Sequence, residues 1–491
     1  MNSNRTLSER VEVKLFLLLF ITFIYFYNGS GWNADSRMAQ IYRVVEQGKW
    51  DITPFLNKTK DISIKGDRIY PNKPPGSSLL GIIPYSLIYY LQKTAGFIPA
   101  VHPELVLLNA YLVNVFSSNL LSALACLYFF RLCFLVSGTV FPSLLLTVSL
   151  GLGTLFFPYN SVFLGHTQAV SLFIIGFYFA FRSFFMDDPG SPSGSGPFLT
   201  GLFLGLSVVV DFFMIYLFLP LVIYLFLSGK KKVLFLTAGL IIPFLILTVY
   251  QSAVFGGPFE TPMRYNNPIF SYNRTDLFLG VFQRPNWTIM KELFLGEYYG
   301  FFTFNPVLFF GIIGMGFCFR IGKYQQLSVI AFVQTILTFV SNAAFIGWWG
   351  GQTAGPRYLS GCIPILLFSA LPCFKYRWLP YVFIPVLCLS LYFNLAVTAT
   401  TPIPGKLTSL REKIIPAFQE KRFALSKEYP RMMNEDVPHS LLKYSSFNLG
   451  QMMGLSSSKS LWPLYGLQLL FLFLILKIIR QSLLQKSPHD E

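Results

Sequence analysis

The chain reads as an all-α, polytopic membrane protein of about twelve (11–13) transmembrane helices, with juxtamembrane helices on the extracytoplasmic side. Three observations predict this. Of the 491 residues, 53% are hydrophobic and the mean hydropathy is +0.54. Only 12% are charged, about half the fraction usual in soluble domains. Apolar runs at 15–27, 199–227, 233–250 and 461–479 approach or exceed the roughly 20 residues that cross a bilayer.

Spans are expected at about 12–28, 105–130, 134–156, 167–184, 198–212, 213–228, 233–253, 301–319, 327–346, 359–374, 378–397 and 461–479. The first is long and aromatic and is followed by no small-x-small cleavage pattern, so it reads as a retained signal anchor. Segment 77–91 contains Pro84 and follows Pro74-Pro75-Gly76; it reads as an interfacial or re-entrant helix. Counting it as a span would reverse the sidedness of every basic marker downstream.

Those markers explain much of the net charge of +16, and nucleic-acid binding does not follow from it. Arg5, Arg10, Lys14, Arg131, Arg182, Lys230 to Lys232, Arg320, Lys323, Lys375, Arg377, Lys477 and Arg480 fall at alternate span ends. This positive-inside pattern puts both termini in the cytoplasm. Four polar stretches then lie outside, at 29–104, 157–166, 254–300 and 398–460, with a tight turn at 347–358. Cytoplasmic connections are short, and 186–197 is a flexible Asp/Pro/Gly/Ser linker. No repeat of 20–50 residues and no two-half symmetry is visible. Large polar elements on one face suit an enzyme working at one leaflet better than a channel or carrier.

The first outer loop carries the strongest signals. Asn33-Ala34-Asp35-Ser36-Arg37 is followed by Met38, Ile41, Tyr42 and Val45 at helical spacing, then Gly48. This reads as an amphipathic helix on the membrane surface with a glycine stop. Asp35 at its start either caps the helix or acts as a general base. The loop ends in Tyr70-Pro71-Asn72-Lys73-Pro74-Pro75-Gly76. Its prolines present Lys73 from a stiff segment, as a lipid-phosphate contact or as an ordinary interfacial lysine. Asp67 and Arg68 join this site or simply make a turn.

Further candidates lie downstream. Asp211 is the clearest carboxylate within an apolar run, and reads as functional or as a paired structural group. Trp348-Trp349-Gly350-Gly351-Gln352-Thr353-Ala354-Gly355-Pro356-Arg357-Tyr358 offers Arg357 as a bidentate phosphate donor in a turn that lets backbone approach closely. Trp348 and Trp349 suit either substrate contact or an interfacial belt. His166, in a small outer loop with Gly165, reads as structural more readily than catalytic, and stays a candidate for substrate contact.

The six cysteines fall in or beside spans without metal-type spacing, and the four histidines are scattered. No disulfide and no tightly held metal is expected, which leaves room for loosely bound Mg²⁺ or Mn²⁺. There is no Walker motif and no dinucleotide glycine fingerprint. Of the Asn-x-Ser/Thr sequons, Asn4 is cytoplasmic and Asn28, Asn57, Asn273 and Asn286 lie at or beyond the outer face.

At these residues the chain resembles GT-C superfamily membrane glycosyltransferases, and is similar to bacterial lipid A aminoarabinose transferases and protein O-mannosyltransferases. The resemblance rests on Asp35-Ser36-Arg37 after span one, the amphipathic helix, and Tyr70-Pro71-Asn72-Lys73-Pro74-Pro75, and extends to about residue 230. It departs from the family pattern in two respects. Asp35 lacks an adjacent acid, and the Asp-to-Arg spacing is one residue shorter than Asp-x-x-Arg.

The resemblance implies a GT-C-like catalytic module at 1–230, a variable transmembrane module at 231–397, a loop or small domain at 398–460, and a last helix with tail at 461–491. It implies a polyprenyl-phosphate sugar donor, a glycan, lipid or protein acceptor, and inverting transfer to a hydroxyl. By that resemblance Asp35 would act on the acceptor as base and Lys73 would meet the donor phosphate; the residue types themselves add Arg357 and Arg37 as further phosphate donors. The site would face the periplasm or exterior from a bacterial inner membrane. A lipid-linked sugar flippase or transporter, and a polysaccharide polymerase or ligase, are the competing classes.

Overall fold

The computed structural model describes residues 2–29, 31–57, 59–97, 103–186, 194–229, 231–270, 281–319, 325–351, 353–403, 408–423, 446–456 and 458–485. Most of linker 186–197, parts of 398–460, and Lys230, Arg320, Lys323, Gln352 and Asn273 lie outside these residues.

Each expected span overlaps at least one helix, but 134–156 is broken at Gly138-Thr139 and again after Leu152, and 301–319 is broken at Asn305. Six helices among the described residues are long and apolar enough to cross a membrane: Leu108–Ser137, Gly165–Phe185, Val233–Phe255, Gln325–Ala344, Leu379–Thr400 and Trp462–Gln481. Shorter apolar helices are Val140–Leu152, Ser195–Val210, Phe212–Ser228, Pro306–Cys318 and Cys362–Lys375. The chain is an integral multi-pass membrane protein. Close helix packing runs through small residues. A Cβ at Gly201 would stand 2.2 Å from the Leu236 carbonyl, and one at Gly239 2.0 Å from that of Phe198. Glycine is what lets these two helices approach without lipid or side chain between them.

The first helix, α1 (Asn2–Ile24), stops before the expected end at residue 28. Phe26–Tyr27 (β1) forms an extended pair instead, antiparallel to β4 (Phe447–Asn448). The Tyr25 hydroxyl donates to the Ser460 carbonyl at 2.6 Å, and the C-terminal helix packs along α1. A distant segment captures this backbone, which no local pattern announces.

Helix α2 (Trp32–Gln47) is amphipathic as expected and stops at Gly48, whose φ of 66° suits the left-handed C-cap. It is not a surface helix, and that expectation is corrected. Every residue from Asn33 to Arg43 is buried, because α3 (Gly76–Thr94) covers it. A Cβ at Gly81 would come 2.4 Å from Ile41 Cδ1, and the Tyr42 and Tyr85 rings meet at 4.7 Å. Helix α3 runs unbroken through Pro84 and is not among the six helices fit to span. Its outer face carries Ile83, Leu87, Tyr90 and Leu91, all exposed.

Between α2 and α3 lies a hairpin, β2 (Ile62–Lys65) with β3 (Arg68–Pro71), turning at Gly66-Asp67. Thr59 Oγ1 donates to the Trp32 carbonyl at 2.7 Å and ties the hairpin to the start of α2. The segment between α1 and α3 is therefore folded, and it carries Asp35, Asp61 and Lys73.

Candidate active site

Asp35 and Arg37 lie in the first turns of α2. The N-cap of that helix is Gly31, which supplies no side-chain hydrogen bond. Asp35 is thus not the cap, and its backbone N–H donates to the Gly31 carbonyl inside the helix. Arg37 is buried and donates through Nη1 to Asn33 Oδ1, one turn earlier.

Three helix starts converge on Arg37. A Cβ at Gly76, the first residue of α3, would stand 2.6 Å from Val210 Cγ2, so α3 begins against the end of Ser195–Val210. A Cβ at Gly165 would stand 2.7 Å from Ser77 Oγ, 2.8 Å from Arg37 Nη2 and 3.2 Å from the Val210 carbonyl. The bare glycine lets the guanidinium rest on the start of Gly165–Phe185. Helix N-termini carry unsatisfied N–H groups and positive dipole ends. The third start, at Phe212, is capped by Asp211, whose Oδ1 accepts from the Phe213 N–H at 3.0 Å.

Asp211 therefore sits at a break between two apolar helices and is paired. Its Oδ2 lies 2.5 Å from His166 Nδ1. The His166 ring meets the Tyr358 ring edge-on at 5.5 Å, and Tyr358 stacks on Phe213 at 4.2 Å. Tyr358 also brings in its neighbour Arg357, whose guanidinium carbon lies 5.2 Å from the Tyr358 ring centre. Gly350 is required here twice over. Its φ is +66°, and a Cβ would stand 2.9 Å from Arg357 Cγ. Arg37 and Arg357 are near enough to act on each other electrostatically.

The acidic side holds Asp35 and Asp61. Burial raises the Asp35 carboxyl well above the ordinary range, and the nearby Asp61 charge adds to this. Asp61 in turn lies 3.5 Å from Lys73 Nζ. Burial lowers Arg37 to about 10, which leaves it charged at neutral pH. Asp61 links the two sides, because it acts on Asp35 and also on Arg37 and Arg357.

Several buried polar atoms here have no hydrogen-bond partner: Asp35 Oδ1, Arg37 Nε, Ser77 Oγ, His166 Nε2 and Arg357 Nε. Such groups normally find partners; others occur among the helices, as at Asn114, Asn160 and Asn342, but those of Arg37, Ser77, His166 and Arg357 fall on side chains that lie near one another and can meet a phosphate. Among the described residues, no three His, Cys, Asp or Glu side chains group as a metal site.

The remaining candidates stand apart. Asp67 is exposed at the hairpin turn, the length of a strand from Asp61. Trp348 and Trp349 are half-buried and packed on each other at 6.0 Å, with Trp348 against Tyr299 at 5.5 Å. Sequence reasoning missed Asp61, Ser77 and Tyr358. The alternation of 62–65 and the Gly66-Asp67 turn signalled a hairpin that returns Asp61 to Lys73. Ser77, following Pro-Pro-Gly, marked a helix start. Nothing local marked Tyr358.

No family model and no curated protein matches the chain. Similar solved structures include an ArnT and an archaeal oligosaccharyltransferase. ArnT from Cupriavidus metallidurans bound to undecaprenyl phosphate shares 13% identity over 94% of this chain and 76% of its own, with a TM-score of 0.48. Its apo state gives 15% identity over 93% and 74%, with the same TM-score of 0.48. The apo oligosaccharyltransferase of Archaeoglobus fulgidus gives 12% identity over 89% of this chain and 61% of its own, with a TM-score of 0.42.

Proposed function

We propose that the protein transfers a sugar from a polyprenyl-phosphate donor to an acceptor hydroxyl, with inversion, on the extracytoplasmic face of a bacterial inner membrane. The observation that carries this reading is the gathering of Arg37, Arg357, Ser77 and His166, each with a buried polar atom left without a partner, in the same fold that buries Asp35. The motif resemblance points the same way.

Asp35 takes the proton of the acceptor hydroxyl as its oxygen attacks the anomeric carbon. The bond from that carbon to the phosphate oxygen breaks, and the electron pair stays with the lipid phosphate. Charge therefore grows on the phosphate, where Arg37, Arg357 and the start of α3 stabilise it. Lys73 assists from the Lys-Pro-Pro segment, with two of its three N–H groups left over from Asp61. A positioned base contributes about 10²–10⁴-fold. Burial raises the proton affinity of Asp35, which strengthens it as a proton acceptor.

The test offers purified full-length protein a panel of radiolabelled polyprenyl-phosphate sugars and a membrane-lipid acceptor extract, beside Asp35→Asn. Label moving to the acceptor with wild type alone supports the transferase. Absence of transfer from every donor, with both proteins folded, turns the reading to a carrier of the same lipid.

A further inference from the structure

The histidine beside this pocket is built differently from a packing residue. Asp211 fixes one ring nitrogen at 2.5 Å and is itself fixed by the Phe213 N–H at 3.0 Å. Tyr358 holds the ring edge-on and is locked by its stack on Phe213. His166 is 5% exposed, yet its Nε2 has no partner. A carboxylate at Nδ1 requires the proton there, so Nε2 carries either a lone pair or a second proton. Everything about this group is constrained except the state of that one atom.

The charges facing His166 come from every side of the pocket. Asp211 approaches from the break before Phe212, Arg37 from α2, and Arg357 and Tyr358 from the glycine turn. Among the groups that act directly on His166, with a neutral imidazole, two arginines and one carboxylate leave one positive charge; Asp61 acts on the arginines rather than on the imidazole. A second proton on His166 would raise that to two in a buried space, which is costly without an anion. An entering phosphodiester, with one negative charge, brings the doubly protonated pocket back to one.

Resting on the lipid-phosphate reading above, we infer that His166 is a proton-dependent phosphate ligand. Nε2 takes up one proton as the donor's phosphodiester enters, and donates a charged hydrogen bond beside Arg37, Arg357 and Ser77. Asp211 is its positioning residue. The site would then hold its lipid more tightly at low pH, although the lipid itself does not titrate there.

The probe is farnesyl methyl phosphodiester, which keeps a single charge from pH 5.5 to 8, bound to detergent-solubilised full-length protein. Wild type is expected to lose about tenfold in affinity across that range, as the imidazole gives up its proton. His166→Gln should bind weakly with a flat pH profile. Asp211→Asn should keep the slope but move it to lower pH, because the imidazolium loses its counter-charge. Calorimetry of wild type in two buffers of different ionisation enthalpy should show proton uptake near pH 7, and needs no variant to fold.

A flat wild-type profile with no proton uptake overturns the role of His166 and leaves the phosphate site standing. An unchanged slope in His166→Gln likewise assigns the titration elsewhere and overturns it. Failure of wild type to bind the phosphodiester at any pH overturns the lipid-phosphate reading, and the inference with it.

Discussion

Asp61 Oδ2 lies 3.5 Å from Lys73 Nζ, joining the start of the hairpin to the segment that leads into α3. Asp61 also bears on Asp35, whose proton affinity it raises in addition to the larger effect of burial. One carboxylate thereby acts on both the lysine of the Lys-Pro-Pro segment and the candidate base.

Asp61→Asn should therefore shift the acidic limb of the pH–rate profile to lower pH. Removing the neighbouring charge makes ionisation of Asp35 easier. Profiles of kcat/KM for wild type and variant over pH 5–8 check it.

Asp35→Asn should abolish transfer, by about 10²–10⁴-fold if the base acts as proposed, while easing stability at neutral pH. A carboxyl raised on folding contributes stability that is present below its unfolded value of about 3.9 and is lost as pH rises towards the folded one. Wild type should thus fall in Tm relative to the variant between pH 4.5 and 7.5. Thermal unfolding in detergent at both values measures the difference.

Gly165→Ala should weaken lipid-phosphate binding more than it weakens the fold. Its methyl would meet Ser77 Oγ at 2.7 Å and Arg37 Nη2 at 2.8 Å, and both are side-chain atoms able to shift. Affinity for a polyprenyl phosphate, compared with Tm, separates the two effects.

Arg357→Lys should lower turnover by about 10²–10³-fold, the scale for losing one preorganised donor to developing charge. An ammonium keeps the charge but neither the fork nor the packing on Tyr358. Single-turnover transfer with saturating donor reads this directly.

Arg37 and Asp35 were legible in the sequence because both stand in one helix start with a readable glycine stop at Gly48. The burial of that helix was not legible. An amphipathic stripe at 38–45 fits a bilayer surface as well as a protein partner, and only the covering α3 decides between them. His166 read as structural, since its neighbour Asp211 is 45 positions away. The short pairing of Phe26–Tyr27 with Phe447–Asn448 was likewise invisible locally.

The sequence by itself determined the membrane class, the positions of the apolar helices, the punctuation of the first loop and the residue types available for phosphate chemistry. Length, hydropathy, glycine and proline act locally, so they survive in a one-dimensional reading. Tertiary structure alone decided that Arg37, Ser77, His166, Asp211 and Arg357 share one pocket, and that Asp35 is desolvated beside Asp61. Proton affinity and anion binding depend on which distant charges meet in a low-dielectric interior, and that depends on helix packing rather than on spacing along the chain.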